Sequence, residues 1–150
     1  MLHSVRSDFP LNEMDIMAMA KRIVSTFNFD ERRGGVLAIV DGNKEALLRA
    51  PIGEYLDEKE GKYRRLSEEK ARRAFKKRES SYATRNPKRE LWGGGIFTGK
   101  YGIGFSGLPE LADEALVVKL AVKFGLISSE EAKRIVSESD NYMYRALEDI

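Results

Sequence analysis

The sequence contains no cysteine, and its single histidine, His3, lies near the N-terminus. The lack of cysteine excludes disulfides, thiolate metal sites and a cysteine nucleophile. With one histidine, neither a serine-histidine-aspartate triad nor a histidine-based metal cluster is expected. The carboxylates also lack the DxDxDG spacing of a calcium loop, so no metal site is predicted.

Long apolar runs are also missing. No segment approaches the roughly 18 apolar residues of a membrane span, and the first fifteen residues lack the apolar stretch of a secretory signal. We therefore expect no membrane partner and a cytoplasmic setting. A chain of 150 residues fits one domain with a single core. We expect that domain to cover 1–150, with an N-terminal arm over 1–11 and a divergent helical tail over 128–150.

Net charge is small, but its distribution is uneven. The formal charge is +2, yet residues 62–89 hold twelve Lys/Arg and three Glu, a local charge of +9 that leaves −7 for the rest. This basic segment fits a phosphate or carboxylate ligand, an acidic face of another subunit, or nucleic acid. Nucleic acid is the least favoured of these partners, because aromatic residues are sparse there and no recognised nucleic-acid motif is present.

Apolar residues recur every three or four positions in four segments, which predicts amphipathic helices. Asn12 and Ser128 are expected as N-caps, Ser67 as the cap of the basic helix, and Pro109 in the first turn of the most apolar one. The helices are expected over 13–27, 66–78, 109–124 and from 128 onward, with an acidic loop over 52–61. A helix as apolar as the third is expected to be covered on several sides, by the sheet and by another helix or subunit.

Two hairpins are predicted between the helices. Asp41-Gly42 separates two short apolar runs and favours the positive φ of a tight turn. Gly99-Lys100 separates a second, glycine-rich pair. The strands are expected over 36–40, 45–49, 95–98 and 101–105, with a further short strand over 89–92. Paired hairpins with helices around them predict an α+β fold, in which helices pack on an antiparallel sheet.

Two nucleotide-binding patterns overlap in the glycine-rich region. Gly102 to Gly107 spells GxGxxG, and Gly94 to Lys100 spells the start of a P-loop. Context argues against both, because no parallel strand with an acidic tip follows and Tyr101 stands where a P-loop needs Ser or Thr. What remains is a helix N-terminus whose backbone N–H groups could hold an anion. Asp113 there either orients the loop or contacts the ligand.

Four short segments, in their order along the chain, resemble the GlcG/HbpS-like family, the haem-degrading-type domain also found at the C-terminus of PduO proteins. After an early helix from Asn12, residues 38–50 are similar to the family's VVD-x-G-xx-L-xx-xR pattern. Residues 70–75 are similar to KAxTAxxF. Residues 93–107 with Asp113-Glu114 are similar to GGxPI…GxIGVSG…DExVA. Together they span about residues 12–124.

The resemblance implies a profilin-like fold, with an antiparallel sheet of about five strands and helices on both faces. It also implies homo-oligomers, often dimers that build larger rings, and haem is a ligand of some members. The chain departs from the pattern at Ile96-Phe97, where the family has Pro-Ile, and in its longer loop over 52–65. No histidine lies near the motifs, so a bound haem would need a Thr, Tyr, Met or Lys ligand.

The preferred hypothesis is a small-ligand-binding domain whose pocket lies between the Lys70 helix and the strands of 93–107. Lys70 and Arg72 would contact acidic groups such as tetrapyrrole propionates, glycines would leave room, and backbone N–H groups would donate. The predicted site residues are Lys70, Arg72, Gly94, Gly95, Gly104, Ser106, Gly107 and Asp113. The alternatives are an interaction protein that uses its basic helix for subunit or nucleic-acid contacts, and an enzyme acting on a small acidic metabolite.

Overall fold

Strand β2 (Arg33–Val40) is buried over Gly34–Val40, because helices cover both faces of the sheet that it centres. The computed structural model describes residues 3–150. Its sheet has five antiparallel strands in the order β1-β3-β2-β5-β4. The other strands are β1 (Ser4–Val5), β3 (Leu48–Glu54), β4 (Gly95–Phe97) and β5 (Gly102–Ser106). The helices are α1 (Glu13–Phe27), α2 (Glu60–Lys77), α3 (Glu110–Lys123) and α4 (Ser129–Glu138).

Alternation along the strands creates the two faces. On one face, Leu37 and Ile39 of β2 join Ile103 and Phe105 of β5 in a large core that includes α1 and α3. On the other face, Ala38 and Val40 belong to a small cluster with Ala71 of α2. The α+β fold and the antiparallel sheet predicted from the sequence are therefore confirmed.

The fifth strand comes from an unexpected place. Residues 89–92 were predicted to form it, but they follow a 3-10 turn and contribute only an isolated bridge between Asn86 and Leu91. The fifth strand is instead β1 in the N-terminal arm, which pairs with the start of β3. Arg6 fixes that arm by donating to Asp41 Oδ2 at 2.7 Å. Residues 1 and 2 of the predicted arm lie outside the described part of the chain.

Helix α2 begins six residues earlier than the periodicity predicts, at Glu60. Ser67 is therefore not an N-cap but a buried residue inside the helix, and its hydroxyl donates to the Arg64 carbonyl at 3.1 Å. The first turns escape detection because they are charged and contain Gly61. They are stabilised by packing that the local pattern does not encode, such as the edge contact between Tyr55 and Tyr63 with ring centres 5.6 Å apart.

Strand β3 runs through Pro51, where the sequence predicts that it ends. Proline has no N–H to donate, so it is tolerated only where a strand lacks a neighbour on that side. Among the described residues, β1 pairs only with Leu48 and Arg49 of β3, and Pro51 lies beyond that pairing. The missing N–H therefore costs no ladder bond.

Helix α3 is buried within a single chain. It contacts β4, β5, α1, α4 and the 3-10 helix Tyr142–Leu147. Its buried residues are Ala112, Asp113, Glu114, Ala115, Leu116, Val117, Val118, Leu120 and Ala121. The tail from 128 onward therefore belongs to the core, and a second subunit is not needed to cover α3. No helix within residues 3–150 has the length and apolarity to cross a membrane.

Glu114 is an exception in the apolar surroundings of α3, because its carboxyl is fully buried. The Asn141 side chain donates to Oε2 at 3.1 Å, while Oε1 has no hydrogen-bond partner among residues 3–150. Burial raises the pKa of Glu114 to about 7. Asn141 also donates to the Leu111 carbonyl at 2.8 Å, so this contact fastens the C-terminal segment to α3.

We expect Glu114→Gln to raise the free energy of unfolding at pH 8 by about 1–2 kcal/mol and to change it little at pH 5. Between the ordinary pKa of 4.5 and the folded value of about 7, the unfolded chain loses a proton that the folded chain keeps. Stability of the wild type therefore falls as pH rises through this window. Glutamine retains an oxygen for Asn141 and does not titrate.

Urea denaturation across this pH window measures the effect. The control is Glu130→Gln, an exposed position in the first turn of α4. A pH slope that is the same in Glu114→Gln and in the wild type would contradict the assignment of this slope to Glu114.

Candidate functional site

A cavity of about 250 Å³ lies between the first half of α2 and the connection from β5 to α3. Its walls come from five parts of the chain: the segment before β2, the lead-in and first turns of α2, the residues before β4, the β5–α3 connection and the start of α3. The lining residues are Arg32, Lys59, Lys62, Tyr63, Leu66, Lys70, Trp92, Ser106, Gly107, Leu108, Glu110 and Asp113.

A buried ion pair lies at this cavity. Lys70 Nζ donates to Asp113 Oδ2 at 3.0 Å and to the Phe105 carbonyl at 2.9 Å, and both side chains are 3% exposed. The second Asp113 oxygen, Oδ1, accepts from the Leu108 N–H at 2.9 Å. This carboxylate therefore orients the loop before α3 and ties it to α2, which is one of the two roles predicted for it. An ammonium has three N–H groups, so one of those on Lys70 is not used by these contacts.

The protonation of this pair depends on opposing effects. Burial raises the pKa of Asp113 to about 7, although the Lys70 ammonium and the Leu108 N–H favour the ionised carboxylate. The Arg32 charge acts in the same direction as Lys70. The ion pair is therefore complete on the alkaline side of neutrality.

The glycines before and within the last hairpin make room for protein, not for a ligand. A Cβ on Gly95 would lie 2.5 Å from the Lys70 carbonyl oxygen, and one on Gly104 would overlap the Ser67 carbonyl. At Gly94, where φ is +112°, a Cβ would lie 2.8 Å from Cβ of Asp113. The space that the sequence assigned to a ligand beside these three glycines is filled by α2 and by the buried pair. Gly102 and Gly104 are the positions of β5 that α2 approaches most closely, because a Cβ on either would overlap a backbone carbonyl oxygen of the helix.

Arg72 does not line the cavity. It donates to the Lys44 carbonyl at 2.6 Å, to the Asn43 carbonyl at 3.0 Å and to Glu68, so it holds the loop between β2 and β3. Residues two positions apart on an α-helix are separated by about 200° around its axis. Lys70 and Arg72 therefore point to different sides of α2, and the expectation that they share one ligand is not met by their placement.

Three cations at the cavity have no counter-ion. Arg32, Lys59 and Lys62 are exposed and form no ion pair within the described part of the chain, 3–150. The two carboxylates at the cavity are already neutralised, Asp113 by Lys70 and Glu110 by Arg85 at 2.7 Å. The uncompensated charge at the cavity is therefore positive.

The remaining walls are aromatic and aliphatic. Tyr63 and Trp92 are half-buried, while Leu66 and Leu108 are buried. Trp92 is the single tryptophan of the chain, so its fluorescence reports on this cavity alone. Flat aromatic walls beside cations suit a small anion with a planar or apolar part.

The cavity brings together four of the eight predicted site residues: Lys70, Ser106, Gly107 and Asp113. Arg72 lies elsewhere, and Gly94, Gly95 and Gly104 lie against α2 or the buried pair. The sequence did not single out Arg32, Lys59 or Trp92 as site residues. The only signal available was position: Arg32 lies two residues before the glycine pair Gly34-Gly35, and Trp92 directly precedes three glycines.

In comparisons with known proteins, no protein-family model, no curated protein and no solved structure matches the chain.

Proposed function

We propose that this chain binds a small anionic ligand, with a carboxylate or phosphate group, in the cavity between α2 and the β5–α3 connection. The observation that carries the proposal is the set of three cations, Arg32, Lys59 and Lys62, which border the cavity without an ion-pair partner in 3–150. Lys70 adds a fourth, buried positive group with one N–H left over from its contacts to Asp113 and Phe105. Cations clustered at a concave surface raise the local concentration of anions and speed their capture.

The size of the cavity limits the ligand. At about 250 Å³ it lies below the range of roughly 300–1,000 Å³ typical of pockets that enclose drug-sized molecules. The cavity therefore suits a compact ligand, in which each anionic group carries only a few further non-hydrogen atoms. Tyr63 and Trp92 would contact the uncharged part of that ligand, and the cations would contact its charged end.

The size of the cavity favours a ligand smaller than a tetrapyrrole, which is the ligand suggested by the family resemblance. A tetrapyrrole is larger than this cavity of about 250 Å³, and of the axial ligand types considered above the lining offers only tyrosine, at Tyr63, and lysine. We expect a haemin titration to give no saturable Soret shift, and a saturable shift that Tyr63→Phe removes would reverse this conclusion.

The proposal also includes a profilin-like fold, which is a finer assignment than α+β. A five-stranded antiparallel sheet with α2 on one face and α1 and α3 on the other supports a profilin-like arrangement. An interaction role is less favoured than ligand binding, because α3 is covered within one chain and no longer calls for a partner subunit.

Trp92 fluorescence provides the test. We expect inorganic phosphate, pyrophosphate or citrate to change it saturably, and glycerol to leave it unchanged. Lys59→Gln/Lys62→Gln is expected to weaken binding of the responding anion about tenfold, because two partly exposed charge contacts together contribute about 1.4 kcal/mol. Both residues lie at the cavity near the start of α2.

The matched control is Lys76→Gln/Lys77→Gln, which removes the same charge from the other end of α2, outside the cavity. It is expected to leave the affinity within about twofold of the wild type. Equal losses in both double variants would indicate unspecific attraction of anions. No saturable response to any of the three anions would refute the proposed function.

A further inference from the structure

Residues 80–93, which we call the strap, connect α2 to β4 and carry Trp92 to the cavity. They include two short 3-10 turns, Ser81–Thr84 and Pro87–Arg89, and have no long regular element of their own. A segment of this kind has a defined shape only where other parts of the protein hold it. Two charged anchors do so, one on α2 and one on α3.

The first anchor is Arg73, whose side chain is 9% exposed. Its Nη1 donates to the Ser81 and Thr84 carbonyls, both at 2.9 Å, and to the Thr84 hydroxyl at 2.8 Å. Its Nη2 donates to the Trp92 carbonyl at 2.6 Å. One guanidinium therefore binds the beginning and the end of the strap, and closes it into a loop.

Arg73 is itself held in place. Glu69, one turn earlier on α2, accepts from Arg73 Nε at 2.8 Å and from Nη2 at 3.3 Å. This pair fixes the plane of the guanidinium, so that its outer N–H groups face the strap carbonyls. A lysine has no such planar fork and cannot bind both ends at once.

The second anchor is Glu110, at the start of α3. Its Oε2 accepts from the Gly93 N–H at 2.5 Å and from Arg85 Nε at 2.9 Å, and its Oε1 accepts from Arg85 Nη2 at 2.7 Å. Glu110 lines the cavity, whereas Arg73 does not. Trp92 is therefore held through its own carbonyl by Arg73 and through the next residue by Glu110.

We propose that Arg73 is a positioning residue of the ligand site: it holds Trp92 at the cavity wall by clamping both ends of the strap. The assignment of a ligand to that wall rests on the proposed function. The clamp itself does not, because all of its contacts are hydrogen bonds between residues of this chain. Affinity for the ligand should accordingly depend on a residue that never touches it.

Arg73→Lys tests this, with two measurements. In the absence of any ligand, we expect the Trp92 emission to shift to longer wavelength and its quenching by acrylamide to increase about twofold, since a lysine retains only part of the donor fork. The affinity for the anion that binds the wild type best should fall about fivefold. Far-UV circular dichroism should be unchanged, because the remaining contacts of α2 with the sheet are retained.

Arg72→Lys is the matched control, since Arg72 is the neighbouring residue and binds the β2–β3 loop instead. It should alter neither quenching nor affinity. Glu69→Ala is the second variant, which loosens Arg73 without changing it, and a smaller change in the same direction is expected. Unaltered Trp92 quenching in both Arg73→Lys and Glu69→Ala would overturn the proposal.

The two proposals fail in distinguishable ways. If increased quenching occurs but the wild type binds none of the anions, Arg73 still positions Trp92 and the proposed function is wrong. Suppose instead that Arg73→Lys shows increased Trp92 quenching but binds anions as tightly as the wild type. The ligand site is then supported, and Arg73 has no positioning role in it.

Discussion

Lys70→Met is expected to reduce the free energy of unfolding by about 3–5 kcal/mol near pH 8, because it leaves the Asp113 carboxylate buried without its cation. The methionine fills most of the lysine stem, so the loss comes from charge and hydrogen bonding, not from a cavity. In Lys70→Met, the pKa of Asp113 would rise further and its carboxylate would take up a proton. The folded protein keeps this proton while the unfolded chain releases it, so the loss should be smaller near pH 5 and grow as pH rises.

The double variant Lys70→Met/Asp113→Asn shows how much of this loss comes from leaving the Asp113 charge unpaired. Asparagine keeps an oxygen for the Leu108 N–H, and no charge remains buried. We expect most of the lost stability to return, to within about 1–2 kcal/mol of the wild type, since a buried ion pair contributes little once its desolvation is counted. Urea denaturation of the wild type, the two single variants Lys70→Met and Asp113→Asn, and the double variant completes this double-mutant cycle. Additive losses in the double variant would show that Lys70 and Asp113 do not depend on each other.

Exposed ion pairs on α4 provide the comparison with the buried pair of Lys70 and Asp113. Arg134 contacts Glu131 and Glu138 on α4, with half of its side chain exposed. Arg134→Gln should change the free energy of unfolding by less than about 1 kcal/mol. The contrast with Lys70 would show that burial, not the count of ion pairs, determines the effect.

Where structure is encoded locally, the sequence predicts it well. Asn12 and Ser128 cap α1 and α4 as expected, accepting from Asp15 N and Glu131 N at 3.0 Å, and Gly125 has the positive φ of a helix end. The start of α2 and the strand β1 could not be found this way. The first depends on tertiary packing of a charged segment, and the second is two residues long and has no period to detect.

The candidate site shows the same limit at longer range. Lys70 and Asp113 were both singled out, but their pairing joins residues that are 43 positions apart. A glycine in a strand indicates a close approach without identifying what approaches. The pattern of 93–107 was therefore compatible with a ligand as well as with a helix. Only the folded chain shows that α2 occupies the place, and that Arg32 and Trp92 reach the same cavity.

Gly104→Ala is expected to lower the free energy of unfolding by several kcal/mol, about 3 or more, because a Cβ at this position would overlap the Ser67 carbonyl and also lie 2.9 Å from the Ala71 N. Both atoms belong to the backbone of α2, so no side-chain rotation relieves the clash. Gly102→Ala should act alike, since its Cβ would overlap the Ala71 carbonyl. The helix would have to move away from β5 as a unit.

This displacement would also reach the cavity, because α2 carries Lys62, Tyr63 and Lys70. A Gly104→Ala protein that still folds should therefore show altered Trp92 fluorescence and weaker anion binding. Gly61→Ala is the control on the same helix: a Cβ there meets nothing within 4 Å, and alanine favours helix by up to about 1 kcal/mol. The two substitutions add the same methyl group and should have opposite signs in urea denaturation. A loss of less than about 1 kcal/mol for Gly104→Ala would mean that the packing of α2 on β5 is loose enough to absorb it.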